Sequence, residues 1–192
     1  MDTETPSAAA TSATPSTFTP GSTVVYGMHG KCTILAIENK TVGGVTVPYF
    51  KMEVQKSTLS RSTRQEPAIW VPCSTAQEKG MRAVMTTTDA EEVNKVFASR
   101  EFYFPLDESW GSLQSKLENS IRREGFIGSA KVLSCLFVLK KKQVVPTPEV
   151  NRFSESVSRI FFRELSDLLQ EPAKSLEEKA NRAMRFKLLP DH

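Results

Sequence analysis

The sequence predicts an α+β protein of two domains, a five-stranded β domain followed by a compact all-helical bundle of four to five helices. Three observations support this fold class. Short segments rich in β-branched and aromatic residues alternate with turn residues between positions 18 and 86. The spacing of apolar residues changes from a period of 2 to one of 3.6 after Thr88. Glycine and proline then separate the helical segments.

The β domain is predicted from five segments: TVVY (23–26), CTILAIE (32–38), VTVPYFKMEV (45–54), AIWVP (68–72) and MRAVM (81–85). Gly43 and Gly44 suit a tight hairpin, because glycine reaches positive φ without steric cost. The polar loop before the fourth strand contains Lys56, Arg61 and Arg64. A loop of this length is usually functional or mobile. Five short strands around one core predict a small, strongly bent sheet or barrel.

The first helices are predicted from capping and glycine signals. Thr88 and Glu91 have the spacing of a capping box, which opens a helix. The segment 109–123 carries apolar residues four apart, and Gly125 and Gly128 mark its end. The following segment to residue 142 is nearly continuous in apolar residues, which predicts the central buried helix.

Two further helices complete the predicted domain, which spans residues 87–188. Thr147 can cap a helix and Pro148 fits its first turn. Ser175 and Glu178 have capping-box spacing and predict a last helix that ends near residue 186. The β domain is accordingly placed at residues 18–86.

Composition and cysteine spacing indicate the cellular environment in which the protein functions. Residues 1–17 are rich in Thr, Ser, Pro and Ala, which predicts a disordered leader and not a secretory signal. No apolar run is long enough to span a membrane, so no membrane partner is predicted. Cys32, Cys73 and Cys135 are far apart, which favours buried thiols in a reducing cytoplasm.

The charge of the chain is unevenly distributed. The net charge is only +3, but residues 116–142 contain seven Lys and Arg residues against two Glu residues. A basic helical segment permits contact with nucleic acid without requiring it. A solvated helix face explains the same pattern.

The sequence contains no recognisable catalytic constellation. His29 has no His, Cys or carboxylate partner at metal-ligand spacing, and it lies in a Gly-Met-His-Gly turn. No nucleophile-elbow or phosphate-loop motif is present. We therefore predict no enzyme, no cofactor and no metal, and interpret His29 as a turn residue.

Two tryptophans are the candidate contact residues. Trp110 begins a helix outside its apolar stripe, where an exposed ring either docks into a partner, stacks against nucleic-acid bases or closes the seam between domains. Trp70 lies in the fourth strand, and as an outward residue on an edge strand it would anchor an interface.

An ordered set of motifs resembles a known family. FTPGSTVVYGMHGKCTILAIENKTVGG, then YFKMEV, then IWVPCSTAQEKGMR look like the RNA-polymerase-interacting domain of the CarD/CdnL family of bacterial transcription regulators. The same Tudor-like module occurs in the transcription-repair coupling factor. Trp110, Gly125, the break before Pro148 and FRELSDLL extend the resemblance over the helical half, to about residues 18–188.

The resemblance implies a cytoplasmic, non-enzymatic transcription regulator. Its Tudor-like or SH3-like barrel would bind the RNA polymerase β subunit through an edge strand. Its helical domain would contact promoter DNA in the minor groove near the −10 region, without sequence specificity, and stabilise the open complex. The expected protein is a monomer associated with the nucleoid through the polymerase.

Candidate site residues follow from the matched positions. The resemblance assigns polymerase contacts to Lys40, Val42 and Trp70, the last standing where some members have arginine. It assigns the minor-groove wedge to Trp110. Family members usually carry basic residues just after that tryptophan, whereas this chain has WGSLQSK. The DNA-contacting cations would therefore be drawn from Lys116, Arg122, Arg123 and Lys131.

Two other classes of function remain as alternatives at this point. A protein-interaction adaptor would bind polymerase and a further regulator without touching DNA. An enzyme that uses the β domain as a scaffold would need a constellation that the sequence does not show.

Overall fold

A computed structural model describes residues 18–55, 67–142 and 147–189 of the chain. Within these residues a five-stranded antiparallel sheet precedes four α-helices, which confirms the predicted α+β architecture. The predicted leader (1–17) and the loop that carries Lys56, Arg61 and Arg64 lie outside the described residues. The division of the chain at residue 86 stays a prediction.

The five strands form an open sheet. They are β1 (Thr23–Tyr26), β2 (Gly30–Val42), β3 (Val45–Val54), β4 (Ile69–Pro72) and β5 (Met81–Ala83), in the spatial order β4-β3-β2-β1-β5. The edge strands β4 and β5 have four and three residues and do not pair with each other in the described part. Such short edges offer few backbone groups for closure, so the sheet stays open where the sequence also allowed a barrel.

One face of the sheet carries its apolar core. Phe50 lies opposite Val71, and Met52 lies opposite Ile34, and all four side chains are buried. Directly opposed residues of an antiparallel pair share a face, so these residues define the core face. The buried cluster on this face comprises Val24, Cys32, Ile34, Phe50, Met52, Val71, Ala76 and Met81.

The helices are α1 (Thr87–Ala98), α2 (Trp110–Lys142), α3 (Pro148–Leu169) and α4 (Ala173–Met184), followed by a 3₁₀ turn (Arg185–Leu188). The two helices expected between residues 109 and 142 are both present, as the two arms of α2, because the backbone leaves the helical conformation between them. The bend lies at Gly125, whose φ of 61° and ψ of −126° are not helical. Glycine tolerates this conformation because it has no Cβ.

The helix starts agree only in part with the capping signals. Thr147 caps α3 and Pro148 opens it, as predicted. The capping box of α1 is formed by Thr86 and Asp89, two residues before the pair Thr88 and Glu91 that we expected. Two threonines follow Thr86 directly, so spacing alone did not identify the cap.

The predicted cap of the last helix is wrong. Pro172 occupies the N-cap position of α4, and Ser175 lies inside the helix. The hydroxyl of Ser175 donates a hydrogen bond to the Glu171 side chain instead of capping a backbone N–H group. Pro172 has an extended backbone, so the chain is already set to enter the helix at Ala173.

The two arms of α2 pack tightly against each other. A Cβ added at Gly128 would lie 2.2 Å from the carbonyl oxygen of Ser120, a backbone atom of the other arm. Leu113 and Leu117 of the first arm share one buried cluster with Leu136 and Leu139 of the second. The glycine at position 128 therefore permits the close approach that builds the helical core.

An ion pair with a buried carboxylate joins the end of the sheet to the helices. Arg82 of β5 donates two hydrogen bonds to the carboxylate of Glu164 on α3, at 2.9 and 2.7 Å. The Met85 backbone N–H donates a third, at 2.7 Å. Glu164 is only 3% exposed, and the Arg82 guanidinium also lies 5.2 Å from the Phe126 ring. We call these contacts the joint.

The three cysteines form no disulfide, as expected for thiols. Cys32 and Cys135 are buried and Cys73 is partly buried. Burial raises the pKa of the Cys135 thiol to about 12, which makes it a poor nucleophile.

The joint predicts a large loss of stability in Glu164→Gln. The change removes the buried charge that compensates Arg82, whose side chain is only 20% exposed, and breaking a buried pair costs about 3–5 kcal/mol. Urea unfolding followed by circular dichroism measures the change. The matched control is Glu92→Gln. The Glu92 side chain is 53% exposed and pairs with Lys95, three residues later on the same helix, so the free energy of unfolding should fall by about 1 kcal/mol or less. Equal losses in the two variants would refute the role of the joint.

The contact between the arms of α2 predicts that Gly128→Ala lowers the free energy of unfolding by about 1–3 kcal/mol, the usual cost of overpacking. Gly111→Ala is the control, because a Cβ there meets no atom within 4 Å and its backbone is helical. Alanine favours a helix over glycine, so this control should be neutral or stabilising. Thermal and urea unfolding distinguish the outcomes, and a neutral Gly128→Ala would contradict the packing.

Candidate partner-binding surfaces of the sheet and helices

The face of the sheet opposite its core is solvent-facing near β4. Ala36 lies opposite Lys51, and Lys51 lies opposite Trp70, so these residues share a face. Glu38 and Lys40 follow Ala36 at two-residue spacing and extend the same face along β2. We call Ala36, Glu38, Lys40, Val42, Lys51 and Trp70 the outer face.

The outer face contains a tryptophan, Trp70, whose ring lies close to the ammonium groups of two lysines. The Lys40 Nζ lies 3.2 Å from the centroid of the Trp70 ring, and the Lys51 Nζ lies 5.3 Å from it. Lys51 also forms an ion pair with Glu38 at 3.1 Å. A cation over an exposed aromatic ring contributes about 0.5–1 kcal/mol. These contacts hold the indole in one orientation and present an apolar ring with a positive neighbour.

The β2–β3 hairpin extends this surface with exposed apolar residues. Val42 and Val45 face each other at its tip and are 60% and 63% exposed. Gly43 and Gly44 between them both have positive φ, 60° and 81°, as a type I′ turn requires. Val42 is two residues beyond Lys40 and so shares its face. The structure thus gathers the three candidate polymerase contacts, Lys40, Val42 and Trp70, on one surface.

The edge strand β4 borders this surface. In the described residues β4 pairs with β3 alone. An edge strand presents backbone N–H and C=O groups that another chain can pair with. Trp70 therefore stands beside backbone groups that are available for strand addition.

Trp110, the candidate wedge, is packed inside the helical half. It is the first residue of α2, and its ring meets the Phe153 ring of α3 edge to face, with centroids 5.8 Å apart. The ring is partly buried against the helical core. Its indole Nε1 is buried and has no hydrogen-bond partner in the described residues. The side chain closes the contact between α2 and α3 and leaves only part of its surface for a ligand.

Two of the four candidate DNA-contacting cations are already paired. Lys116 forms an ion pair with Glu108, and Lys131 forms one with Glu124. The Lys116 hydrogen bond lowers the pKa of the Glu108 carboxyl. Partial burial acts to raise the pKa of Glu124, but hydrogen bonds from Lys131 and Ser120 lower it overall. Both lysines are therefore partly neutralised by their neighbours.

The other two cations are exposed but are not equivalent. Arg122 and Arg123 have no ion-pair partner within the part of the chain that the structure describes. Arg122 lines a cavity of ≈ 270 Å³ between the sheet and the helices, together with Val25 and Phe153. The candidate DNA-contacting cations thus include two exposed arginines and two lysines in local ion pairs.

His29 lies at the boundary between the sheet and the helices. It belongs to the 3₁₀ turn between β1 and β2 and stacks on Tyr26, with ring centroids 5.6 Å apart and the planes inclined by 4°. No group of three His, Cys, Asp or Glu side chains in the described residues is arranged to hold a metal ion. In the described residues no helix is long and apolar enough to cross a membrane.

Sequence reasoning missed two groups of residues at this boundary. Arg82 was noted only as part of a motif, and its partner Glu164 lies 82 positions away. Arg159 and Arg163 stand four residues apart on α3, which places them on one helix face. That spacing was the only signal in the sequence for these arginines.

Comparison with known proteins finds a family model that matches the part of the chain that forms the sheet. Residues 18–85 match the family model described as the CarD-like/TRCF RID domain. The match spans β1 to β5 and ends at Met85, where the joint begins. A search of curated proteins gives no match.

Proposed function

We propose that the outer face binds the β subunit of RNA polymerase, because residues 18–85 match the CarD-like/TRCF RID domain and this match suggests a transcription-related protein that interacts with RNA polymerase. The helical half would then contact promoter DNA and stabilise the open complex. The protein would act without catalysis, by binding alone, as a cytoplasmic monomer.

The observation that best supports this proposal is the stacking of Lys40 on Trp70 beside the exposed Val42 side chain. Interfaces are anchored by a few aromatic and aliphatic side chains in an otherwise polar rim. Here the aromatic anchor is already oriented by two lysines, so little side-chain entropy is lost when a partner binds. The neighbouring edge of β4 offers backbone pairing to an extended segment.

The proposed DNA contact uses the start of α2. Trp110 would insert at the melted boundary, because an apolar wedge stabilises a distorted base step over a stacked one. Arg122, Arg123, Lys116 and Lys131 would add phosphate contacts that weaken as salt rises. Tethering to the polymerase raises the effective concentration of DNA, so each contact need only be weak.

One observation favours the adaptor as a second candidate function. Lys116 and Lys131 are held by carboxylates, and the Trp110 ring is packed on Phe153. A helical half with its cations occupied in this way would suit a protein partner as well as DNA. The following variants separate the two candidates.

We predict that Trp70→Glu or Val42→Glu weakens binding to the polymerase β subunit at least tenfold. Each change places a charge in a surface that would be desolvated, and loss of a hot-spot side chain costs about 2 kcal/mol or more. Biolayer interferometry with purified polymerase measures the dissociation constant. The control is Ala83→Glu, the same type of change at an exposed residue of the opposite edge strand β5.

Wild-type affinity in both outer-face variants would place the interface elsewhere. Equal weakening by Ala83→Glu would indicate a general charge effect and would also contradict the proposed surface. Circular dichroism of each variant checks that the sheet is intact.

We predict that Trp110→Ala shortens the lifetime of the open complex at a weak promoter and leaves polymerase binding unchanged. Loss of one aromatic contact to a base is worth about 1–3 kcal/mol, so the lifetime should fall roughly fivefold or more. Phe153→Ala is the control, because it removes the ring against which Trp110 packs but keeps the indole. Challenge with a competitor measures the lifetime.

An unchanged lifetime in Trp110→Ala, with no salt-dependent DNA binding by the wild type, would exclude the DNA contact and select the adaptor. An equal loss in Phe153→Ala would show that helix packing, and not the indole itself, is required.

A further inference from the structure

A second cleft lies between the sheet and α3 and plays no part in the function proposed above. Its volume is ≈ 240 Å³. His29 and Lys31, from the turn and the start of β2, form one wall, and Arg159 and Arg163 of α3 form the other. Val25 and Ile160 are its apolar lining. Four nitrogen-bearing side chains from two parts of the fold therefore line one concave space.

The two arginines of this cleft form no ion pair with a carboxylate among the described residues. Arg159 has no ion pair or hydrogen bond among the described residues. Arg163 donates a long hydrogen bond of 3.4 Å from its Nη2 to the Gln55 carbonyl. Lys31 pairs with Asp167, whose side chain is 49% exposed at the rim. The two guanidinium groups can therefore form charge-assisted hydrogen bonds with an incoming ligand.

The one acid in the lining does not offset these cations. Both oxygens of Glu164 accept hydrogen bonds within the joint, from Arg82 and from the Met85 N–H. Arg82 balances its charge. With Lys31 and Asp167 also balanced, the cleft has an excess of two positive charges from Arg159 and Arg163.

We propose that this cleft binds a small phosphate-bearing anion of the pyrophosphate type. Guanidinium groups bind phosphate oxygens in a planar fork, and two of them four residues apart suit two neighbouring phosphate groups. The Lys31 ammonium and the His29 imidazole supply donors from the opposite wall. A concave space with cations on opposed walls suits a compact free anion better than the convex backbone of a duplex.

Such a ligand would bridge the two halves of the protein. His29 and Lys31 belong to the RID domain, and Arg159 and Arg163 belong to the helical half. Binding to both walls stabilises the folded arrangement in which they face each other. The ligand would thereby act at the boundary that the joint already holds, and away from Trp70, which lies at the other end of the same face of the sheet.

The test is titration of the full-length protein with inorganic pyrophosphate by isothermal calorimetry at low and physiological salt. We expect saturable binding to one site and a rise in melting temperature with ligand. Arg159→Gln and Arg163→Gln should each weaken binding about tenfold or more, since a hydrogen bond to a charged group is worth about 1.5–3 kcal/mol. Arg152→Gln is the matched control, an exposed arginine seven residues before Arg159 that does not line the cleft.

Three outcomes would overturn the proposal. They are the absence of saturable binding, equal weakening by the Arg152→Gln control, and binding of a short DNA duplex that depends on Arg159 and Arg163 while pyrophosphate does not bind. The last result would make the cleft part of a nucleic-acid surface. Polymerase affinity of Arg159→Gln should equal that of the wild type, so failure here is distinguishable from failure of the outer-face proposal.

Discussion

The Arg82–Glu164 pair is the contact on which the arrangement of the whole chain depends. It links the last strand of the sheet to the third helix, and a Cβ at Gly125 would lie 2.8 Å from the Arg82 Cδ. The bend of α2, the position of α3 and the edge strand β5 therefore meet at one guanidinium. Because a buried charge is tolerated only with its partner in place, these three elements cannot shift independently. The pair thus joins the last strand of the sheet to α3, beside the second ion pair between Lys31 and Asp167.

The packing of the helices around the joint divides the face of the sheet opposite its core into two regions. Val25 lies opposite both Lys31 and Arg82, so these residues point away from the core face and toward the helices. Farther along that face, beyond β2, Trp70 and Lys51 are covered by no helix residue in the described aromatic and ionic contacts. The described helices therefore contact the β5–β1 end of this face, and the contacts of Trp70 and Lys51 at the β3–β4 end come from the sheet itself.

Local sequence patterns predicted the strands and helices, but they did not predict contacts between residues that are far apart in the sequence. The alternation in β2 and β3, the glycine turn between them and the Thr147–Pro148 start of α3 each depend on residues close in sequence, and each is found in the structure. Glu164 shows the limit, since an acid within an apolar helical stripe has no visible partner until β5 is placed beside it. The caps of α1 and α4 show a second limit, because several residues of one segment satisfied the same spacing rule.

The number of charged residues in a segment likewise did not predict which charges form ion pairs. The basic character of residues 116–142 drew attention to α2, but Lys116 and Lys131 are paired with acids on neighbouring turns or loops. Arg159 and Arg163 form no ion pair within the described part of the chain, and they lie on a segment whose overall composition is acidic. A count of charges along the chain cannot separate these cases, because pairing depends on which side chains the fold brings within 4 Å. The neighbours of His29 show the same dependence on the fold: within its own turn it stacks on Tyr26, and α3 places two arginines across the cleft from it.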